Sequence, residues 1–292
     1  MAKTLRFIIV PKVTDHPWFS EIHKGAQAQG NLLSRELGVE IVVESMAATI
    51  CDVAEQNAIL DQILKLKPTG IAVDPVDAVS HISAINRIRA AGIPVVLFDS
   101  PSEDNSITSI GNNFGEQGEI AAERLAKLIG YAGKVAVMQG FPSAPNHKAR
   151  YESQLAILSK YPEICVVDGG VDNDDIETAY QQCAMVLESH PDLRGYLCCD
   201  ASGPIGIAKA IKEARKIREV TVVSMDGIKP ILDAIKEGVI ESSSSTKPRM
   251  QGSMSILLLW QASLGIKIPQ AIDTGIDVIT QDNVDQYLSE LG

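Results

Sequence analysis

Four aspartates each follow a short run of apolar residues. Asp99 closes the run at residues 93–98, which shows no period-2 alternation and therefore indicates a strand buried on both faces of a parallel sheet. Ligands of open α/β sheets bind outside the carboxyl ends of the strands, so a carboxylate placed there points toward a site. Carboxylates accept hydrogen bonds from hydroxyl groups. The four residues are Asp74, Asp99, Asp200 and Asp226.

Further polar and aromatic residues are expected at the same sheet edges. A sugar hydroxyl both donates and accepts a hydrogen bond, so carboxylates take its proton while cations and amides donate back to it. Aromatic rings would cover the C–H patches of such a ligand. This set predicts a site for an uncharged, hydroxyl-rich molecule. The candidates are Lys12, His16, Trp18, Phe19, Ser100, Asn146, Arg150, Asn173 and Lys247.

Each candidate also has a structural alternative. Asp74 before Pro75 and Asp226 before Gly227 could form turns or cap helices. Trp18 and Phe19 could belong to a core, and Arg150 could be a surface cation. The convergence of four aspartates on predicted strand ends favours binding over four independent caps.

The elements that would position these residues alternate regularly between strand and helix. This alternation predicts an α/β fold with two similar, doubly wound parallel-sheet (Rossmann-like) lobes. Three crossings would join the lobes and allow a cleft between them to close by hinge motion. The predicted lobes are residues 1–110 with 247–275, and residues 111–246 with 276–292. Predicted strands cover residues 5–11, 39–44, 70–73, 93–98, 134–138, 165–168, 196–199, 220–225 and 240–246, and predicted helices cover residues 18–37, 53–66, 78–91, 115–129, 148–160, 175–189, 205–216, 228–236 and 248–264.

Composition excludes several classes of function. The net charge of −11 disfavours nucleic acid as a partner, and the apolar runs are too short to span a bilayer. The usual hydrolase, phosphate-loop and dinucleotide motifs are missing, and the histidines lack metal-ligand spacing. We therefore predict no enzyme activity, no cofactor and no metal. The cysteines are interpreted as buried thiols, with one disulfide as the alternative: Cys51, Cys165, Cys183, Cys198 and Cys199.

Several of these segments resemble a known family. His16-Pro17-Trp18-Phe19 is similar to the Asn-Pro-Phe-Phe segment of ribose-binding proteins. The chain thus resembles a type I periplasmic sugar-binding protein of an ABC importer over essentially its whole length. Further segments in that family's order and approximate spacing are Val73-Asp74-Pro75, Phe98-Asp99, Asn146-x-x-x-Arg150, Cys199-Asp200, Met225-Asp226-Gly227 and Lys247-Pro248.

The chain departs from the family pattern at four positions. Ser100 stands where the family often has arginine, and Asp74 and Asp200 stand where asparagine is usual. Asn173 replaces a second aromatic residue, which favours an open-chain or furanose-like polyol over a flat ring clamped between two aromatic rings. The carboxylates also disfavour an acidic ligand.

The resemblance implies a receptor that binds a pentose, hexose or polyol and delivers it to ABC permease subunits, as a monomer. Asp99, Asp226 and Arg150 would hold hydroxyls, and Trp18 would stack on the ligand. The location would be periplasmic or lipid-anchored extracellular, with an export signal removed and Met1 added. The amino terminus by itself leaves a cytoplasmic location open as the alternative. Alternatives are the effector-binding core of a LacI-type regulator, a receptor for an autoinducer-2-like ligand, suggested by Pro11-Lys12, and a receptor for a sensor kinase.

Overall fold

The computed structural model describes residues 4–291, which form two compact units. One unit holds the amino-terminal residues through Asn112 together with Pro248–Thr274. The other holds Asn113–Lys247 and the segment that begins at Gly275. The chain therefore passes from one unit to the other three times. Residues 1–3, next to which a removed signal was expected, lie outside the described residues.

The strands and helices alternate along most of the chain. The strands are β1 (Leu5–Val10), β2 (Ile41–Ser45), β3 (Gly70–Val73), β4 (Val95–Phe98), β5 (Thr108–Gly111), β6 (Gly133–Gln139), β7 (Ile164–Val171), β8 (Leu193–Leu197), β9 (Thr221–Met225), β10 (Ser242–Ser245), β11 (Ala271–Asp273) and β12 (Asp277–Thr280). The helices are α1 (Pro17–Leu37), α2 (Val53–Leu66), α3 (Ile82–Ala90), α4 (Phe114–Leu128), α5 (Pro145–Leu158), α6 (Ile176–Ser189), α7 (Gly203–Glu213), α8 (Lys229–Lys236), α9 (Pro248–Ser263) and α10 (Val284–Leu291).

Each unit contains one six-stranded sheet, and the two sheets share one strand order. The first sheet has the order β11-β5-β4-β3-β1-β2, and the second has the order β12-β10-β9-β8-β6-β7. Neighbouring strands are parallel except for the antiparallel pair β10 and β12. The predicted pair of doubly wound α/β sheets is confirmed. Strand order reverses at β1/β3 and at β6/β8, and ligands of such sheets bind outside these points.

Local sequence explains the helix ends nearest the candidate residues. The ring nitrogen Nδ1 of His16 accepts the Trp18 N–H and thereby caps α1, which ends at Gly38 in the left-handed conformation. The helix predicted from residue 78 begins only at Ile82. Asp77 Oδ1 accepts the N–H groups of Val79 and Ser80, which folds these residues into a turn instead of a helix.

The two cores consist of the sheets and the apolar faces of their helices. In the first unit the buried cluster includes Ile8, Leu60 and Leu97, and in the second it includes Leu125 and Val223. The long helix α9 packs on α1, β3 and β4 of the first unit, as its apolar sequence predicted. No helix within residues 4–291 is long and apolar enough to cross a membrane.

The cysteines differ from the prediction in part. All five are free thiols, and Cys183, Cys198 and Cys199 are buried. Cys165 is exposed and Cys51 is half-buried, so the prediction of buried thiols is wrong for these two. The reason at Cys165 is that β7 forms the edge of its sheet, where side chains lack a neighbouring strand on one side.

Candidate functional site

Three charged side chains meet at the carboxyl edge of the first sheet. Lys12 follows β1, Asp74 follows β3 and Asp99 follows β4. Lys12 Nζ lies 3.3 Å from Asp74 Oδ2 and 3.4 Å from Asp99 Oδ2. All three residues are buried. One cation therefore lies beside two carboxyl groups, and together with Ser100 we call these residues the first-unit cluster.

Hydrogen bonds from neighbouring strands and loops hold Asp74 in place. Its N–H donates to Val10 O over 2.9 Å, and its Oδ1 accepts the Ser100 N–H over 3.2 Å. Burial raises the pKa of Asp74 to about 7, while Lys12 opposes this rise and the charge of Asp99 adds to it. The next helix, α3, begins eight residues later, so Asp74 is not a helix cap.

Asp99 and Asp226 occupy equivalent places in the two sheets and share an unusual backbone conformation. Their φ angles are 54° and 65°, in the left-handed region that non-glycine residues rarely adopt. The Asp99 N–H donates to Ile110 O over 3.0 Å, and the Asp226 N–H donates to Ser244 O over the same distance. Such outliers cluster at functional sites.

The side chain of Asp226 is bound by a residue that directly follows β10. It accepts a hydrogen bond from the Thr246 hydroxyl at its Oδ1. The following helix α8 has Ile228 as its N-cap and no side-chain capping bond. Asp226 is therefore not the N-cap residue of α8.

Aromatic residues form the first turn of α1, immediately after the loop that follows β1. Trp18 is 4% exposed and Phe19 is half-buried. The two rings are nearly perpendicular, with centroids 5.4 Å apart, and the His16 and Phe19 centroids are 5.2 Å apart. The helix cap at His16 fixes the start of this turn and hence the positions of both rings.

Arg150 of the second unit is a buried cation and not a surface one. Its Nε donates to Gln117 Oε1 over 2.7 Å, and its Nη1 donates to Cys199 O over 3.2 Å. The guanidinium carbon lies 4.7 Å from the centroid of the Phe114 ring. Asn146, one helical turn earlier on α5, is also buried. Both residues are 2% exposed.

Two carboxyl groups lie together at the edge of the second sheet. Asp200 follows β8, and its Oδ1 accepts the Gly203 N–H at the start of α7 over 2.6 Å, so it does contribute a capping bond. Asp172 follows β7, and its side chain, like that of Asp200, is buried beside Gly203. Burial, and then the nearby Asp200, raise the pKa of Asp172. We call Asp172 and Asp200 the acid pair.

Sequence reasoning missed Asp172 because β7 was expected to end at Asp168. The strand runs to Val171 after a register shift against β6 between Val137 and Gln139. The signal available in the sequence was the same one used elsewhere, a carboxylate after a valine at a strand end. Gln117, which accepts a hydrogen bond from Arg150, and Gln251, whose Oε1 accepts the Asp99 N–H over 3.1 Å, carried no comparable signal.

Asn173 and Lys247 are not buried. Asn173 is exposed and has a φ angle of 54°. Lys247 Nζ lies 3.0 Å from Asp277 Oδ1, and both side chains are about one-third exposed at 34% and 32%. The structure therefore brings Lys12, Asp74, Asp99 and Ser100 together in one unit. In the other unit it brings Asp200 together with Asp172, and it links Arg150 to the same strand end through Cys199 O.

Both edges offer the chemistry that hydroxyl groups require. Carboxylates, a guanidinium, an ammonium and amides are held by bonds to the fold, so their positions are set before a ligand arrives. Charge-assisted hydrogen bonds of this kind are stronger than those between neutral groups.

Known proteins resemble the chain over nearly its whole length. A model of the periplasmic binding protein domain matches residues 7–267. A D-apiose import binding protein of Paraburkholderia graminis is 25% identical over 83% of this chain and 75% of its own. The structure of an arabinose-binding protein of Geobacillus stearothermophilus is 31% identical, covers 98% of this chain and 99% of its own, and has a TM-score of 0.79. A solute-binding protein of an ABC transporter from Burkholderia graminis, in complex with D-arabinose, is 26% identical over 97% of each chain, with a TM-score of 0.89.

Proposed function

Because the chain belongs to the periplasmic binding protein family, we propose that it is the sugar-binding receptor of an ABC importer. Its ligand is a small neutral sugar or sugar alcohol of the pentose, hexose or polyol class. The observation that carries this proposal is the set of buried charged groups at the carboxyl edge of each sheet, since hydroxyls can use them as acceptors and donors. The relatives are transport proteins, and we propose no catalytic step.

The proposed contacts follow from position in the two sheets. Asp99 and Asp226 accept hydroxyl protons, and Arg150 donates to hydroxyl oxygens. Trp18 covers an apolar face of the sugar, which leaves its hydroxyls for the polar groups. The remaining contacts come from Lys12, His16, Phe19, Asp74, Ser100, Asn146, Asn173, Asp200 and Lys247.

The proposed ligand is uncharged because each edge already contains more carboxyl groups than cations. A carboxylate or phosphate on the ligand would add a further buried anion beside these groups, and an unpaired buried charge is costly. Delivery to the permease implies a location outside the cytoplasmic membrane. We propose that the receptor acts there as a monomer.

Titration of a sugar panel tests this proposal. Pentoses, hexoses and alditols are added while Trp18 fluorescence and thermal stability are followed, and a Trp18→Phe variant identifies the responding residue. A ligand that binds only the folded state must raise its stability. Saturable fluorescence change with thermal stabilisation is the expected result. No response to any sugar by either method contradicts the proposal.

Matched variants then test the two edges separately. Asp99→Asn and Asp226→Asn should weaken binding of the responding sugar about tenfold or more, because a charged acceptor is replaced by a neutral group. The controls are Asp61→Asn and Asp233→Asn, which remove surface carboxylates paired with Arg87 and Lys229. Unchanged affinity in an edge variant removes that aspartate from the proposed site.

A further inference from the structure

Gln117, on α4, binds the Arg150 guanidinium at its Nε. The Gln117 Oε1 accepts the Arg150 Nε–H over 2.7 Å, and Arg150 Nη1 donates to Cys199 O over 3.2 Å. The centroid of the Phe114 ring lies 4.7 Å from the guanidinium carbon. Two of the five N–H groups of the guanidinium are therefore bound to the fold, and together with the ring they fix its plane and its direction.

The other end of the Gln117 amide binds the strand that anchors Asp226. Its Nε2 donates to Ser244 O over 2.7 Å, and the same carbonyl accepts the Asp226 N–H over 3.0 Å. A carbonyl oxygen has two lone pairs and can accept both bonds. Gln117 is 0% exposed, so its amide has to find its partners within the fold. One amide thus connects Arg150 and Asp226, both of which we place among the sugar contacts.

An amide suits this place because it orients a cation without neutralising it. A buried guanidinium needs an acceptor at its Nε, since an unsatisfied buried N–H group is costly. A carboxylate would supply that acceptor but would also balance the positive charge. The Gln117 carbonyl is uncharged, so Arg150 keeps its charge for hydrogen bonds to hydroxyl groups.

A glutamine occupies the corresponding place in the first unit. The helix α4 begins at Phe114 and α9 begins at Pro248, so Gln117 and Gln251 are each the fourth residue of a helix. Each of these helices follows a passage of the chain from one unit to the other. Gln251 is also buried, and its Oε1 accepts the Asp99 N–H over 3.1 Å. In both units, therefore, a buried glutamine bonds to one end of the backbone hydrogen bond that fixes a strand-end aspartate.

We propose that Gln117 is a positioning residue that sets the direction of the Arg150 guanidinium at the sugar-binding edge of the second unit and couples it to the strand that anchors Asp226. This inference rests on the proposed function, because Arg150 is placed among the sugar contacts. Gln117 is buried and acts through Arg150. Without Gln117 Oε1 the guanidinium keeps its bond to Cys199 O but can turn about it, so its donors no longer match the hydroxyls.

Two substitutions at Gln117 test the positioning role by the order of their effects. Gln117→Met keeps the size of the side chain but removes the acceptor, so affinity for the responding sugar should fall about tenfold. Gln117→Glu keeps an acceptor for Arg150, so its affinity should fall less than that of Gln117→Met. A side chain that only filled space would give the reverse order, because glutamate buries a further carboxyl group and methionine does not. Wild-type affinity in Gln117→Met, or an affinity in Gln117→Glu no higher than in Gln117→Met, overturns the proposal.

Gln154 provides the matched control. It lies on α5 one helical turn after Arg150, is also buried, and donates its Nε2 to Cys198 O over 2.7 Å. Gln154→Met therefore removes a similar buried bond but no acceptor of the guanidinium, and affinity should stay within about threefold of wild type. A loss of affinity in Gln154→Met as large as in Gln117→Met would show that any buried amide bond has this effect, which overturns the positioning role.

Nuclear magnetic resonance of the Arg150 Nε–H reports the contact without any sugar. The signal is assigned by its absence in Arg150→Lys. In the wild type and in Gln154→Met this group is buried and bonded, so its exchange with water should be about tenfold slower than in Gln117→Met. Equal exchange rates in the wild type and Gln117→Met overturn the proposal. If the rates differ as expected but no sugar in the panel binds, the proposed function is wrong and the positioning role falls with it, while the contact itself stands.

Discussion

The two sheet edges solve the same electrostatic problem in different ways. Asp74 and Asp200 follow equivalent strands, β3 and β8, and each side chain is buried beside a second carboxyl group. In the first-unit cluster Lys12 lies within 3.4 Å of both carboxylates. In the acid pair, burial and the nearby Asp200 instead raise the pKa of Asp172, which favours its neutral form. The two sheets can therefore carry buried carboxyl groups that differ in their response to substitution and in the pH range over which they titrate.

Removal of Lys12 should have the largest effect. Lys12→Met leaves two buried carboxyl groups without their cation. Removing one partner of a buried ion pair lowers the free energy of unfolding by about 3–5 kcal/mol. We expect this loss in the free energy of unfolding, measured with urea, and loss of sugar binding. Lys24→Met, which removes an exposed lysine from α1, is the control with little effect. A fully stable Lys12→Met would contradict the role of this cation.

The pH dependence of stability should identify Asp74. Its pKa is near 3.8 when unfolded and is raised to about 7 when folded, so the folded state binds more protons between these values. Its contribution is therefore fully present below about pH 4 and is lost as pH rises toward 7, at about 1.4 kcal/mol per unit. The Asp74→Asn variant should lose this dependence of the unfolding free energy on pH. An unchanged slope in the variant, measured by urea unfolding at several pH values, assigns the titration to another group.

The acid pair should make the free energy of unfolding depend on pH over a higher pH range. Because the pKa of Asp172 is raised further than that of Asp74, stability keeps falling with pH above 7. Asp172→Asn folds without taking up a proton and should be more stable than the wild type at pH 8, by roughly 2 kcal/mol. Urea unfolding at pH 6 and pH 8 checks this. A variant less stable than the wild type at both values would show that the carboxyl group is required for packing.

Backbone strain at the equivalent aspartates should have the smallest effect. The backbone of Asp226 has a φ angle of 65°. The Asp226→Gly variant should be more stable than Asp226→Ala by about 1 kcal/mol, because only glycine adopts this conformation without strain. At Asp233, inside α8, the Asp233→Ala variant should instead be more stable than Asp233→Gly by about 1 kcal/mol. Thermal unfolding of the four variants measures both differences. The same order at both positions would contradict the strain argument.

Much of the fold was predictable because its signals are local. The apolar runs, the glycine at position 38 and the carboxylates at strand ends predicted strands, a helix end and a ligand edge. The limits of β7 were not predictable, since its register against β6 extends it past Asp168 to Val171. The short helix α10 was also missed, because its single buried residue, Val284, gives little apolar pattern.

The sequence by itself indicated that Asp74, Asp99, Asp200 and Asp226 stand near strand ends, because each follows an apolar run. Tertiary structure alone decided how their charges are balanced. Lys12 reaches Asp74 and Asp99 from positions 62 and 87 residues away, and Asp172 meets Asp200 only because β7 and β8 flank β6. Coulomb energy and desolvation depend on distance and burial in space, and separation along the chain specifies neither.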